Sequence, residues 1–127
     1  KQIAKSVSQT KSVGMLKLWG VALSRAKVIK KTSMVISFLT QDEIKKWASD
    51  GDVSGLVNLL SSTSESSTAM LLYETEDGKI RGSLRSDALG TDVSKLAEFL
   101  GGGGHKKASG FSFDGKLKKT DNGYMII

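Results

Sequence analysis

The 127-residue sequence has no cysteine, no proline and a single histidine, His105. Without cysteine there is no disulfide framework, no thiolate metal site and no cysteine nucleophile, and a zero count suits a cytoplasmic protein. One histidine, with no dense carboxylate cluster, excludes a metal centre built from several His and Asp ligands. The longest apolar stretches are four or five residues, far short of a membrane span. The lysine-rich N-terminus is interrupted by Ser, Gln and Thr where a signal peptide needs an unbroken apolar region. A cytoplasmic location with no membrane partner is therefore expected. The chain starts at Lys1 rather than Met, which suggests an excised piece of a longer chain.

What is present reads as one globular domain over residues 1–127, with 39% hydrophobic and 25% charged residues and enough length to bury a core. The net charge of +6 is unevenly placed: residues 1–46 hold ten Lys/Arg against two acids, residues 47–127 nine against eleven. A basic first third suits an anionic partner and equally suits a solvated lysine-rich helix face.

Along the chain, Val13, Leu16, Trp19 or Gly20, and Leu23 recur near helical spacing and predict an amphipathic helix over Ser12–Arg25, with residues 1–10 as a possible extension. Met34–Leu39 reads as a buried strand. Thr40-Gln41-Asp42-Glu43 has the pattern of a capping box, so a helix Gln41–Ser49 should follow and end near Gly51. Asp52 or Ser54 would cap another helix running to about Leu60. After a Ser/Thr loop, Ala69–Glu74 and Lys79–Arg85 predict a hairpin turning at Glu76-Asp77-Gly78, with Asp-Gly supplying positive φ angles. Thr91 or Asp92 caps a short helix that the glycines from Gly101 stop. Phe111–Phe113 and Tyr124–Ile127 read as closing strands, with turns at Asp114-Gly115 and Asn122-Gly123. The expected fold class is α/β (α+β): a single domain with a mixed β-sheet of about five strands packed with helices.

Candidate chemistry falls between residues 81 and 110. Gly101-Gly102-Gly103-Gly104-His105-Lys106-Lys107-Ala108-Ser109-Gly110 removes successive Cβ atoms, so a ligand could reach the main chain. If His105–Ser109 opens a helix, its free amides form an anion site. The same run could be no more than a loose helix stop with an ordinary surface histidine. Ser83-Leu84-Arg85-Ser86 puts an arginine at a strand end, with Ser83 and Arg81 on the same face and Leu84 on the other. Arg85 is placed either to hold a phosphate bidentately or to keep an edge strand from aggregating. Asp92-Val93-Ser94-Lys95-Leu96-Ala97 reads as a capped packing helix.

Together, Arg-Gly-Ser-Leu-Arg-Ser, Thr-Asp-Val-Ser-Lys-Leu-Ala and Gly-Gly-Gly-His-Lys-Lys-Ala-Ser-Gly-Phe resemble the DHH-associated domain (subfamily one) of DHH-family phosphoesterases. The family pattern of a glycine triplet, His, two variable residues, Ala, a small residue and Gly falls on Gly102–Gly110, with Ser109 where a second Ala is usual. Leu18-Trp19-Gly20 and Gly55-Leu56-Val57-Asn58 are similar to the same domain in the nanoRNase/pAp phosphatase branch.

The resemblance implies a C-terminal substrate-binding domain whose N-terminal DHH partner, absent from this chain, carries two metal ions, usually manganese. It implies substrate contacts from Gly102, Gly103, Gly104, His105, Arg85 and Ser86, with no catalytic residue, metal ligand or cofactor in this chain. The implied ligands are short RNA or DNA oligonucleotides or pAp-type nucleotides, in a parent enzyme that could be a homodimer. The chain alone is expected to be inactive. A RecJ-type exonuclease, a cyclic-dinucleotide phosphodiesterase or an exopolyphosphatase-like protein shares the motif, and a stand-alone nucleic-acid-binding module is the alternative of another class. A related domain follows alanyl-tRNA synthetases, but the Ser-Leu-Arg-Ser block fits the phosphoesterases better.

Overall fold

The computed structural model of the protein describes residues 13–31, 33–47, 53–62, 68–86, 92–121 and 123–127, the side chain of Ser54 excepted. Its elements run α1 (Val13–Arg25), β1 (Lys27–Ile29), β2 (Met34–Leu39), α2 (Gln41–Trp47), α3 (Val53–Ser61), β3 (Thr68–Glu74), β4 (Lys79–Ser86), α4 (Val93–Phe99), β5 (Gly103–Gly104), β6 (Ala108–Asp114), β7 (Leu117–Thr120) and β8 (Gly123–Ile126). Six strands form one mixed sheet in the order β1-β2-β3-β4-β6-β5, and β7 and β8 form a separate hairpin. Among the described residues only β2 and β3 pair in parallel, and α2 and α3 lie in the crossover that parallel neighbours require. The expected single domain with a mixed sheet is what the chain builds.

Apolar residues on both sides of β2 explain the layering. Val35 and Leu39 join Leu18, Ala22, Ile44, Leu56, Val57, Leu60, Ala69 and Leu71 in one core under the first three helices. Met34, Ile36 and Phe38 turn the other way, toward a second core of Leu72, Ile80, Leu84, Val93, Ala97, Phe111 and Leu117. That second face is closed by α4 and by the β7–β8 hairpin, whose Tyr124 ring stacks on Phe38 at 5.4 Å. A strand with period-2 alternation of two apolar sets belongs in the middle of such a three-layer stack.

Several boundaries match the sequence pattern and several do not. The capping box forms: Glu43 N donates to Thr40 Oγ1 at 3.3 Å and Thr40 N donates to Glu43 Oε1 at 2.9 Å. The helix over Gln41 ends at Trp47, and its expected end at Ser49–Gly51 lies outside the described residues, as do residues 1–12, the Thr91 cap and the Asn122 half of the last turn. α3 starts at Val53, so Ser54 lies inside it, and Asp52 is outside the described residues. The β3–β4 turn falls at Glu76-Asp77-Gly78 as expected, but only Gly78 has a positive φ there, at 79°, and Asp77 does not. The connection is a longer loop with one glycine in the left-handed region, closed by Thr75 N donating to Lys79 O.

Three short strands, β1, β5 and β7, escape the apolar pattern because they carry little of it: Lys-Val-Ile, Gly-Gly and Leu-Lys-Lys-Thr. Of the expected α1 stripe, Val13, Leu16, Gly20 and Leu23 face solvent, with Val13 70% and Leu16 51% exposed, while Trp19 is half-buried against the core and its neighbours Leu18 and Ala22 are buried. The sheet selected the other face because Ala22 lets the backbone close on β2, where buried Ser37 donates its hydroxyl to Ala22 O at 2.5 Å.

The C-terminus of α1 is tied to α2 through Arg25, whose guanidinium forks onto both Glu43 oxygens, donates to Phe38 O and lies over the Tyr124 ring. Burial pushes the Glu43 carboxyl up, but its bonds from Arg25 and Thr40 outweigh this and hold it below its ordinary 4.5. A carboxylate with a depressed folded-state pKa stabilises the fold above its unfolded value and loses that contribution as pH falls through the folded value. Glu43→Gln is therefore expected to cost about 1 kcal/mol near neutral pH. The gap in urea midpoint between wild type and variant should shrink as pH is taken from 6 to 3. A gap that stays constant with pH would remove this ion pair from the acid response.

Candidate functional site

The antiparallel register lays the candidate site out in rows. On the face toward α3, Arg85 stands opposite Ala108. Ala108 in turn exchanges both backbone bonds with His105: His105 N donates to Ala108 O at 2.8 Å and Ala108 N donates to His105 O at 3.3 Å. Arg85, Ala108 and His105 therefore form one row across three strands, placing arginine and histidine about 10 Å apart at their Cα atoms. The next row on that face is Ser83, Gly110 and Gly103, and the third is Arg81 and Ser112. Successive rows lie about 6.8 Å apart. The helices on this face pack on β2 and β3, and α3 reaches β4 at Arg85; over the rest of this half of the sheet Gly103, His105, Arg81 and Ser112 are exposed and Ser83, Arg85, Ala108 and Gly110 half-buried. An uncovered sheet face with nothing larger than serine in its middle row is a flat, backbone-lined floor.

Arg85 is held over that floor without losing its charge. Its Nε donates to Asn58 Oδ1 on α3 at 3.0 Å and its Nη1 to Leu84 O at 2.9 Å. Both acceptors are neutral, and among the described residues no carboxylate pairs with it. Arg25 shows the opposite design, bonded to a carboxylate and sandwiched between elements. A fixed guanidinium with free Nη protons is suited to a carboxylate or phosphate ligand.

No helix follows the glycines, which corrects the expectation of an amide-rich helix start at His105–Ser109. Residues 103–114 form the β5–β6 hairpin, with Lys106 and Lys107 as its two-residue tip. Neither lysine has the positive φ that a two-residue hairpin ordinarily uses. The tip is instead pinned from outside. Val93 N donates to Lys106 O at 2.9 Å and Ser86 N donates to Lys107 O at 3.0 Å. Val93 opens α4 directly after its cap Asp92, whose carboxyl is held below its ordinary 3.8 chiefly by the Ser94 hydroxyl and amide. One strand end and one helix start thus converge on the tip.

The four glycines separate into different jobs. Gly101, at φ 88°, ends α4 in a Schellman arrangement, with Gly101 N donating to Glu98 O at 3.0 Å and Gly102 N to Ala97 O at 2.7 Å. A Cβ on Gly102 would lie 2.0 Å from Gly110 O, and one on Gly104, at φ 145°, 2.6 Å from Ser109 Cα. Gly103 has neither constraint: its φ is not in the left-handed range, and a Cβ there would meet nothing within 4 Å. The protein's own packing explains three of the four. Gly103 borders open space beside the Arg85 row, where a ligand would lie.

Of the residues expected to contact substrate, Arg85, His105 and Gly103 share one face. Ser86 does not. Its side chain points to the opposite face and is 4% exposed, so its contribution to this edge is the amide that holds Lys107 O. Asn58, the residue that aims Arg85, was not expected; its place in the Gly55–Asn58 block was the one signal available. Among the described residues no three His, Cys, Asp or Glu side chains converge as metal ligands, and no helix is long and apolar enough to cross a membrane.

Residues 23–122 match the family model of the DHHA1 domain. The chain belongs to the DHHA1 domain family. Among solved structures, this DHHA1 domain is similar to an exopolyphosphatase-related protein from Bacteroides fragilis, with 36% identity and a TM-score of 0.76 over 88% of this chain and 33% of that one. A pGpG-specific phosphodiesterase from Vibrio cholerae shares the fold, with 15% identity and a TM-score of 0.55 over 80% of this chain and 33% of that one. The domain thus spans about one third of the length of each. A search of curated protein sequences finds no match.

The glycines give a test that separates packing from function. Gly102→Ala should destabilise by roughly 1–3 kcal/mol, the cost of forcing an atom into a closed contact, whereas Gly103→Ala should leave the thermal midpoint nearly unchanged. Equal losses of stability in the two variants would assign Gly103 to packing as well.

Proposed function

We propose that this DHHA1 domain is the substrate-binding part of a phosphoesterase, and that its β4–β6–β5 face holds a nucleotide or short oligonucleotide for hydrolysis by a DHH domain elsewhere in a longer protein. One observation carries the reading. Arg85 has no carboxylate partner among the described residues, is aimed by neutral acceptors, and stands in register with His105 over a floor of glycine, alanine and serine. A phosphate can sit bidentate on the guanidinium, His105 can hydrogen-bond a neighbouring oxygen, and the flat floor leaves room for sugar and base. Exposed Lys106 and Lys107 at the hairpin tip add attraction for an anion.

The comparisons support the same class. A 36%-identical chain is described as exopolyphosphatase-related, and a more distant neighbour of the same fold as a pGpG phosphodiesterase. Within that class we favour short oligoribonucleotides or pAp-type nucleotides, the substrates of the nanoRNase/pAp phosphatase branch that the Gly55–Asn58 block resembles. The domain's own part is orientation, fixing the scissile phosphate relative to groups supplied by the other domain. With one histidine in the sequence and no three metal-ligating side chains together among the described residues, the manganese ions of the family would be held by that other domain, with the protein acting in the cytoplasm.

Titration of the chain with pAp or a diribonucleotide, followed by amide NMR, tests the site. Shifts are expected at Gly102–His105 and Gly110, with affinity falling about tenfold or more in Arg85→Ala, the scale of a charged hydrogen bond, and only partly restored in Arg85→Lys. Amides of the hairpin that stay still at saturating ligand would sink the assignment. With added manganese the chain alone should not hydrolyse a short oligonucleotide, and turnover by a pure sample would overturn the division of labour.

A further inference from the structure

We propose that the ligand lane has a second phosphate position, at Arg81, and that the face therefore selects an extended single strand with at least three successive phosphates, a 5′-phosphorylated trinucleotide or longer, over a mono- or dinucleotide. The inference rests on the nucleotide reading above and adds the ligand's length. Arg81 and Arg85 are four residues apart on β4 and point to the same face, so their Cα atoms are separated by about 13 Å, two rows of about 6.8 Å each. A row spacing of that size is close to one nucleotide step of an extended strand. Arg85 with His105 would hold one phosphate, the Gly103–Gly110–Ser83 row would lie beneath the next step, and Arg81 would take the phosphate after that.

The surroundings of the two arginines differ in a way that fits this order. Arg85 is half-buried and braced by Asn58. Arg81 is exposed and makes no ion pair among the described residues, while nearby Lys79 is paired with Asp114 at 2.8 Å. Beyond Arg81 the lane opens into a basin of about 460 Å³ lined by Thr75, Glu76, Asp77, Lys79, Arg81 and Ser112, large enough for a nucleoside. Glu76 and Asp77 would repel a further phosphate there but accept hydrogen bonds from a ribose or an amino group of a base. Asp77 already accepts one from Thr75 Oγ1. The cation faces the lane and the acids close its far end, so the track carries phosphate up to Arg81 and no further.

The test measures affinity for 5′-phosphorylated, 3′-labelled oligoribonucleotides of one to four residues by fluorescence anisotropy, over a range of salt, in wild type, Arg81→Ala, Arg81→Lys and Arg85→Ala. Wild type should gain roughly three- to tenfold between two and three residues, and little from three to four. Arg81→Ala should remove that gain, leave dinucleotide affinity unchanged and lower the log–log salt slope for the trimer by about 0.7, the single-strand value for one phosphate. Arg81→Lys should restore most of it, because an exposed phosphate contact needs charge more than a fork. A length gain that survives Arg81→Ala, or an unchanged salt slope, overturns the second position while leaving the Arg85 site standing. A loss of about tenfold or more at every length in Arg85→Ala together with loss of only the length gain in Arg81→Ala supports both. Failure of every oligonucleotide to bind overturns both. Linear tripolyphosphate, whose phosphates are packed far closer than the rows, should bind without dependence on Arg81; an equal dependence would overturn the nucleotide spacing.

Discussion

The Lys106 and Lys107 carbonyls, receiving amide protons from Val93 and Ser86, are the constraint on which this edge of the domain depends. A two-residue hairpin without positive φ angles is poorly matched to strand twist and would not be favoured in isolation. Two tertiary hydrogen bonds hold it, and each also satisfies a group that would otherwise be orphaned: the first amide of α4 and the last amide of β4. With the tip fixed, β5 stays in register with β6, and His105 is delivered to the row of Arg85. The Schellman turn at Gly101 fixes the other end of the same segment. A short stretch rich in glycine is thus preorganised rather than loose.

The two arginines bonded in the sheet region show how partner chemistry separates structure from binding. Arg25 meets a carboxylate, a carbonyl and a ring, and its charge is cancelled where it joins α1, α2 and the β7–β8 hairpin. Among the described residues Arg85 bonds to an amide oxygen and a carbonyl and to no carboxylate, which orients it and leaves its field intact. In the first case a charge is consumed by the fold; in the second the fold serves the charge. The sheet makes the same division, because its α3-side face is covered by helices over β2 and β3 and open over β6 and β5, with Arg85 of β4 at the border where α3 reaches it.

Element types were legible where the local pattern was strong. The capping box at Thr40–Glu43, the alternation in Met34–Leu39, the β3–β4 hairpin and the Asp92 cap all appear in the structure close to where they were expected, since each rests on contacts within a few residues. The misses share a different cause. β1, β5 and β7 are strands by pairing rather than by propensity, and the α1 stripe of Val13, Leu16 and Leu23 advertised a buried face that the sheet did not choose. Helix periodicity shows that a face is apolar; only packing shows which apolar face is covered.

For the site, the sequence by itself determined the residue types and their order: a lone histidine behind a glycine run, an arginine at a strand end, and a family pattern joining them. It could not say that Gly102 and Gly104 are there for packing while Gly103 borders open space, because that depends on how closely β6 approaches. Nor could it place Ser86 on the far face from Arg85, or bring Asn58 from α3 onto the guanidinium. Those are long-range facts, decided when antiparallel register aligns residues more than twenty positions apart and when helices cover only part of a sheet. Local chemistry wrote the parts list; the pairing of β4, β6 and β5 decided which parts face the same space.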